Sequence, residues 1–173
     1  EDVYTFEDAL VVGLFLITLL KHADRVKIAC LAQLVNVIAP IMTDEGGDAW
    51  KQTIFYPFFH ASKYGRGEVL QTEIEAPEYD SENYEGVSLL DGVAVRNPDE
   101  NELTIFAVNR SEDDTLVYEC ELNGFESLEV IEHVVLEHED VKATNTADNQ
   151  DNVKPHKEGN ARVKGNKVVS ESS

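Results

Sequence analysis

Apolar and polar residues follow two different rhythms along this chain, and the change falls near Gly65 and Gly67. In the first stretch Thr5 stands three residues before Asp8, the spacing of a capping box with the shorter acid. Glu7 and Asp8 also suit the positive end of a helix dipole. The following DALVVGLFLITLLKHAD is apolar on nearly every side, and Lys21 and His22 close its last turn, where cations are favoured. This predicts a helix over residues 6–22 that needs broad cover. The next run, RVKIACLAQLVNV, carries its charges only at the start and is rich in Val and Ile. A buried parallel strand reads this way, although periodicity alone does not separate it from a helix. Pro40 limits it, TDEGGD (43–48) reads as a surface loop, and QTIFYPFFHASKY (52–64) predicts a second helix, kinked at Pro57 or starting there. Helix, buried strand, loop, helix is the rhythm of an α/β barrel or a doubly wound sheet.

Beyond Gly67 the period shortens to two. EVLQTEIEA, SLLDGVAVRN, ELTIFAVNR, TLVYECELN and LEVIEHVVLE alternate apolar with polar side chains, and the turn clusters NPDEN, SEDD and NGFE separate several of them. Short alternating strands at this spacing predict an antiparallel β-sandwich. From Asp140 the chain turns polar and turn-rich, and ARVKGNKVV (161–169) reads as one more strand or as part of a flexible end over residues 157–173. No internal repeat is present.

Composition narrows the partners. The 173 residues, 42% hydrophobic, suffice for one moderate domain or for pieces of two. A formal net charge of −20 repels phosphate backbones and anionic lipid, so neither nucleic acid nor a membrane surface is expected as a partner. The apolar stretch from Ala9 to Leu20 is too short to span a bilayer, and no signal peptide is visible. The chain opens EDVYTFEDAL without an initiator Met, which reads as a cut inside a longer protein. Cys30 and Cys120 show no metal or redox spacing, and reduced, buried thiols are a simpler reading than one disulfide. That suits a cytoplasmic protein.

The run CLAQLVNVIAPIM (30–42) raises a sharper question, because Gln33 and Asn36 interrupt it. A buried amide without partners costs roughly 1–3 kcal/mol, so these two are either satisfied internally or at least one faces a ligand. On a strand, residues three apart point to opposite faces. Asn36 is therefore read as a capping or loop-anchoring amide.

FEDALVVG, LLKHADRVKIACLAQLVNVIAPIMT, AWKQTIFYPFFHASKYGRG and LTIFAVNRS resemble, in order and from about Tyr4 to His156, the C-terminal part of glycoside hydrolase family 51, the intracellular-type α-L-arabinofuranosidases. The resemblance implies an α/β plus all-β chain, the end of a (β/α)₈ TIM barrel followed by an antiparallel jelly-roll-like β-sandwich. Residues 1–64 would hold the barrel's last helices and eighth strand, and residues 65–173 the sandwich. It also implies release of terminal α-L-arabinofuranosyl units from arabinoxylan, arabinan and their oligosaccharides with retention, without a cofactor or metal, by a homo-oligomer that is commonly a hexamer. Two barrel glutamates do the family's chemistry, and both precede the segment that resembles Glu1. A retaining glycosidase needs two carboxyls about 5–5.5 Å apart, one ionised and one protonated. Glu7 and Asp8 have a helix start as their explanation, so no catalytic residue is expected here and the chain alone should be inactive. GNKVVSESS also departs from the family's apolar closing strand.

Gln33 is the one expected substrate contact. The resemblance places a glutamine at this LAQLVN position against the arabinofuranose, and an amide offers the donor and acceptor that sugar hydroxyls need. The strand's end lies at the face where barrel loops build active sites. Trp50, Phe55, Tyr56, Phe58 and Phe59 fit helical packing better than a sugar platform, with Trp50 kept open. His133 and His138, five apart on a predicted strand, point to opposite faces and fit no shared metal ion. Asn109-Arg110-Ser111 matches the glycosylation triplet, a pattern common by chance. The alternative function is a non-catalytic carbohydrate-binding or assembly sandwich.

Overall fold

Thr5 starts the first element as its spacing predicts. Its backbone N–H and hydroxyl both donate to the Asp8 carboxylate, at 2.7 and 2.9 Å, and its Oγ1 accepts the Asp8 N–H at 3.3 Å. In the computed structural model, which describes residues 2–111 and 114–172, this box opens α1 (Phe6–Lys21), capped by His22. A tight turn at residues 22–25 follows, and the chain then runs to Val35 outside any helix or strand, with bends at Ala32 and Leu34. A short hairpin comes next, β1 (Ile41–Thr43) and β2 (Ala49–Lys51), closed by the Asp44–Asp48 loop. Helix α2 (Phe55–Tyr64) begins two residues before Pro57, so the proline sits in the first turn, where its missing N–H breaks no helical bond.

Gly67 makes the passage into the sheets. Its φ of +131° lies outside the range of L side chains, and a Cβ there would sit 2.1 Å from the Arg96 carbonyl oxygen. The first sheet runs β3 (Glu68–Val69), β6 (Leu90–Asn97) and β7 (Glu102–Asn109), all antiparallel. The β6–β7 hairpin turns at the predicted NPDEN cluster, where the Asn97 carboxamide accepts the N–H groups of Asp99 and Glu100. A small pair, β4 (Glu78–Tyr79) and β5 (Val87–Ser88), precedes β6. The second sheet is β8 (Leu116–Glu121), β10 (Lys167–Ser172) and β9 (Arg162–Lys164), with β10 in the centre.

Helix α1 lies on β6 and β7 and packs beside α2. Val93, Ala94 and Val95 of β6 are therefore buried on both sides of the pleat. Asp91, also on β6, binds both Lys21 at the end of α1 and Arg110 beyond β7. The start of α1 is closed from far down the chain. Phe6 and Ala9 bury against Ala143 and Val153, Leu136 and Val141 pack around them, and Lys142 pairs with Glu7.

Several expectations change here. No closed barrel and no parallel sheet is present among the described residues; the sheets are small and antiparallel. The run expected as a buried parallel strand is irregular, bent at Ala32 and Leu34, and unpaired apart from one parallel bridge between Val35 and Ile41. It is also exposed: Ile28 keeps 83% and Leu34 68% of its surface. The physical reason is that a two-sided parallel strand needs strands beside it, and this chain offers none there. Helix α1 is covered on one face only, leaving Val11, Phe15 and Leu19 bare at i, i+4, i+8 spacing. Cys30 shares the exposed run, so of the two free thiols only Cys120 is partly buried. LEVIEHVVLE joins no sheet; its one ladder contact is the reciprocal pair between Val135 and His156. Residues 162–164 and 167–172 do form strands, and the polar Lys167–Ser172 stretch takes the centre of the second sheet by pairing with β8 on one side and β9 on the other.

Buried amides tie the first third of the chain together. Gln52 Oε1 accepts the Tyr4 N–H at 3.0 Å, while its Nε2 donates to Ala39 O at 2.8 Å and Asp2 O at 3.1 Å. Replacing Gln52 with Ala should cost on the order of 2–3 kcal/mol, since it leaves buried backbone groups unpaired. Urea unfolding of Gln52→Ala beside the exposed control Gln71→Ala checks this, and equal midpoints for the two would contradict it.

Candidate functional site

The site is built around the exit of the unpaired run before β1. Gln33 has an exposed side chain that makes no hydrogen bond among the described residues, and the Ala32–Gln33 peptide is cis. Its amide is thus free to meet a ligand. Three residues on, Asn36 does the opposite. Its Oδ1 accepts the Thr43 N–H at 2.7 Å, its Nδ2 donates to Thr43 Oγ1 at 2.8 Å, and its backbone N–H binds Ile41 O. Asn36 has φ +61°, a left-handed conformation that asparagine tolerates, and Val37 follows in the same region. The two amides of the run therefore separate by role, one open and one anchoring.

The exit turn is held from further sides. Val37 O accepts the Asp2 N–H at 2.8 Å, and Ile38 O accepts the Tyr4 hydroxyl at 3.0 Å. Pro40 O accepts the Gln52 N–H, and Ala39 is fully buried. Trp50 on β2 sits opposite Met42 on β1, half-buried beside this turn. Elsewhere, a cleft of about 760 Å³ runs between the two helices, β7 and the 125–136 segment, lined by such residues as Leu16, Ile105, Tyr118, Val130 and Val168. Gln33 lies outside it.

The α-L-arabinofuranosidase C-terminal domain family matches residues 1–172. The chain belongs to that family. It is 59% identical to an intracellular exo-α-(1→5)-L-arabinofuranosidase of Halalkalibacterium halodurans, over 94% of this chain and 32% of that protein. Against the Bacillus subtilis protein of that name, numbered 1, identity is 58% over 98% of this chain and 34% of the relative. The chain thus spans about a third of these curated relatives. The solved structure of a family 51 α-L-arabinofuranosidase from Bifidobacterium longum superposes with a TM-score of 0.93 at 37% identity, over 99% of this chain and 34% of that one.

In this arabinofuranosidase C-terminal domain the other candidates take structural partners. Phe55 stacks on Phe59 and meets Tyr56 edge-on, both with centroids 5.7 Å apart, and Lys51 lies over the Phe55 ring. These rings serve the helix surface. His138 accepts the Asp140 N–H, whereas His133 accepts the Ala161 N–H at 3.1 Å, so the two histidines hold different turns. Among the described residues no cluster of three or more His, Cys, Asp or Glu side chains could hold a metal ion. Asn109 is buried, donating to Asp114 O and accepting the Ser111 N–H, so its amide serves a turn. No helix among the described residues is long and apolar enough to cross a membrane.

Sequence reasoning missed Gln52 and Asn145. Asn145 is buried, donates to Lys51 O and Val153 O, and accepts the Val153 N–H. Asn145 lies in a polar stretch and Gln52 between Lys51 and Thr53, and no spacing in the sequence distinguishes them from surface amides. His133 carries a further consequence. Burial, and secondarily the nearby His156, push its imidazole below the ordinary 6.5, and its Nδ1 must stay unprotonated to accept from Ala161. A depressed folded value means the contribution is present above pH 6.5 and is lost as pH falls from 6.5 toward the folded value. His133→Gln should flatten the acid side of the thermal stability profile in that window; an unaltered profile would contradict the assignment.

Proposed function

We propose that the chain is the C-terminal part of a retaining exo-acting α-L-arabinofuranosidase, with residues 1–64 completing the catalytic barrel and residues 65–173 forming the sandwich beside it. The observation that carries this is the 59% identity along nearly the whole chain to a protein named for that activity. The exposed, unpaired run around Leu34 adds physical support, because a strand apolar on both sides is stable only between neighbours. In this reading the preceding barrel supplies those neighbours and both catalytic carboxyls. One would be ionised as nucleophile and the other protonated as acid, which then serves as base when water cleaves the covalent intermediate. Gln33 contributes by holding the arabinofuranosyl ring, its carbonyl accepting from one hydroxyl and its N–H₂ donating to another oxygen. The substrates are arabinofuranosyl-containing oligosaccharides, and the setting is the cytoplasm.

A second, compatible reading is an assembly module. The bare stripe of Val11, Phe15 and Leu19 supports it, since Phe15 alone keeps 64% of its surface. The proposed occupants are the barrel and other copies of the enzyme, up to the family's hexamer.

The test is hydrolysis of an aryl α-L-arabinofuranoside by residues 1–173 alone and by the same residues joined to the barrel of the Halalkalibacterium halodurans relative. The joined protein should turn over substrate and the chain alone should not; turnover by residues 1–173 alone would remove the need for upstream carboxyls. In the joined protein Gln33→Ala should lower kcat/KM by an amount worth about 1–3 kcal/mol, roughly 5- to 150-fold. Unchanged kcat/KM would return Gln33 to a structural role.

A further inference from the structure

We infer that Asn36 is a positioning residue for Gln33, an inference that rests on the proposed sugar contact of Gln33. Among the described residues no hydrogen bond reaches residues 28–33, so the glutamine is placed through the chain on either side of it. The first anchored point downstream is the bridge of Val35 to Ile41, followed at once by Asn36. There the carboxamide grips Thr43 through its N–H and hydroxyl, at 2.7 and 2.8 Å. It does so from a φ of +61°, with β-branched Val37 also at +61°. A valine in the left-handed region is costly and persists only where surrounding bonds determine it. The bonds that do so are the Asn36–Thr43 grip and the Asp2, Tyr4 and Gln52 contacts to residues 37–40.

The two sets of contacts divide the work. Those to residues 37–40 fix the far side of the turn, beyond two consecutive left-handed residues. On the near side, three residues from Gln33, the Asn36 backbone N–H meets Ile41 O, and the Asn36 carboxamide adds two further bonds to Thr43 on the β1–β2 hairpin. Removing the carboxamide leaves the turn and the Ile41 bond in place and loosens the segment that carries the glutamine. A misplacement on the order of 1 Å at a substrate contact can cost about 100-fold in rate, so a single side chain here has leverage.

A double-mutant cycle in the barrel-joined enzyme separates this from a general packing role. Asn36→Gly keeps the left-handed backbone and deletes the amide. It should lower kcat/KM on the order of tenfold in the parent and cause no further loss in Gln33→Ala. Asn36→Asp, which keeps an oxygen facing the Thr43 N–H, should recover part of the activity, while Tm tracks folding. Equal losses in both backgrounds, or no loss in the parent, would overturn the inference. If Gln33→Ala alone leaves kcat/KM unchanged, the sugar contact itself fails, and that single variant identifies which claim fell. Should Asn36→Gly not fold, Thr43→Val deletes the hydroxyl half of the grip and carries the same cycle with the same opposing outcomes.

Discussion

One carboxamide holds the start of this molecule together. Gln52 is almost fully buried at the entry to α2, and its two side-chain heteroatoms satisfy backbone groups of two other segments: Asp2 and Tyr4 before α1, and Ala39 at the turn before β1. An amide fits because the junction presents one N–H and two carbonyls, which a hydroxyl or carboxylate could not match together. Thr53 repeats the pattern by donating to Thr5 O, and Asn145 fastens Lys51 O to the 145–153 turn. With these bonds in place, the direction of α1, the position of the exit turn and the start of α2 follow from one another.

The sequence revealed elements whose stabilising residues are local. The capping box of α1, the Asx turn between β6 and β7 and the alternation of β8 are each decided within a few residues, and each formed as expected. The β1–β2 hairpin escaped because three-residue strands carry too little periodicity, and its loop alone was visible. The 128–137 segment shows the reverse failure: its alternation is genuine, but side-chain anchors such as His133 hold it in place of a ladder. For the site, Gln33 and Asn36 were legible as an anomaly in an apolar run. Their separation into open and anchored amides needed the Thr43 contact, which is set by a turn of left-handed residues that no composition announces.

The uncovered apolar surface and the free amide belong to one region. Ile28, Leu34 and Gln33 lie on the same unpaired run, and the bare stripe of α1 precedes it directly in the chain. Under the proposed reading, the contacts that complete the barrel also bring the substrate to Gln33, so folding and binding use the same strand. The second sheet behaves differently. Glu119 and Glu121 on β8 share Lys167 across the ladder, and these charges remain at the solvated surface.

The closure of α1 by residues 141–153 sets an order on biosynthesis. Glu7 meets Lys142, 135 positions later in the chain, and Phe6 waits for Val153 to complete its burial. At translation rates of about 5–20 residues per second, roughly 7–27 s pass between the two ends of that contact leaving the ribosome's catalytic centre. For that interval a nascent helix with an apolar surface exists without its lid, a window in which a holding chaperone has something to bind. The β6–β7 hairpin, whose strands are adjacent in sequence, faces no such delay.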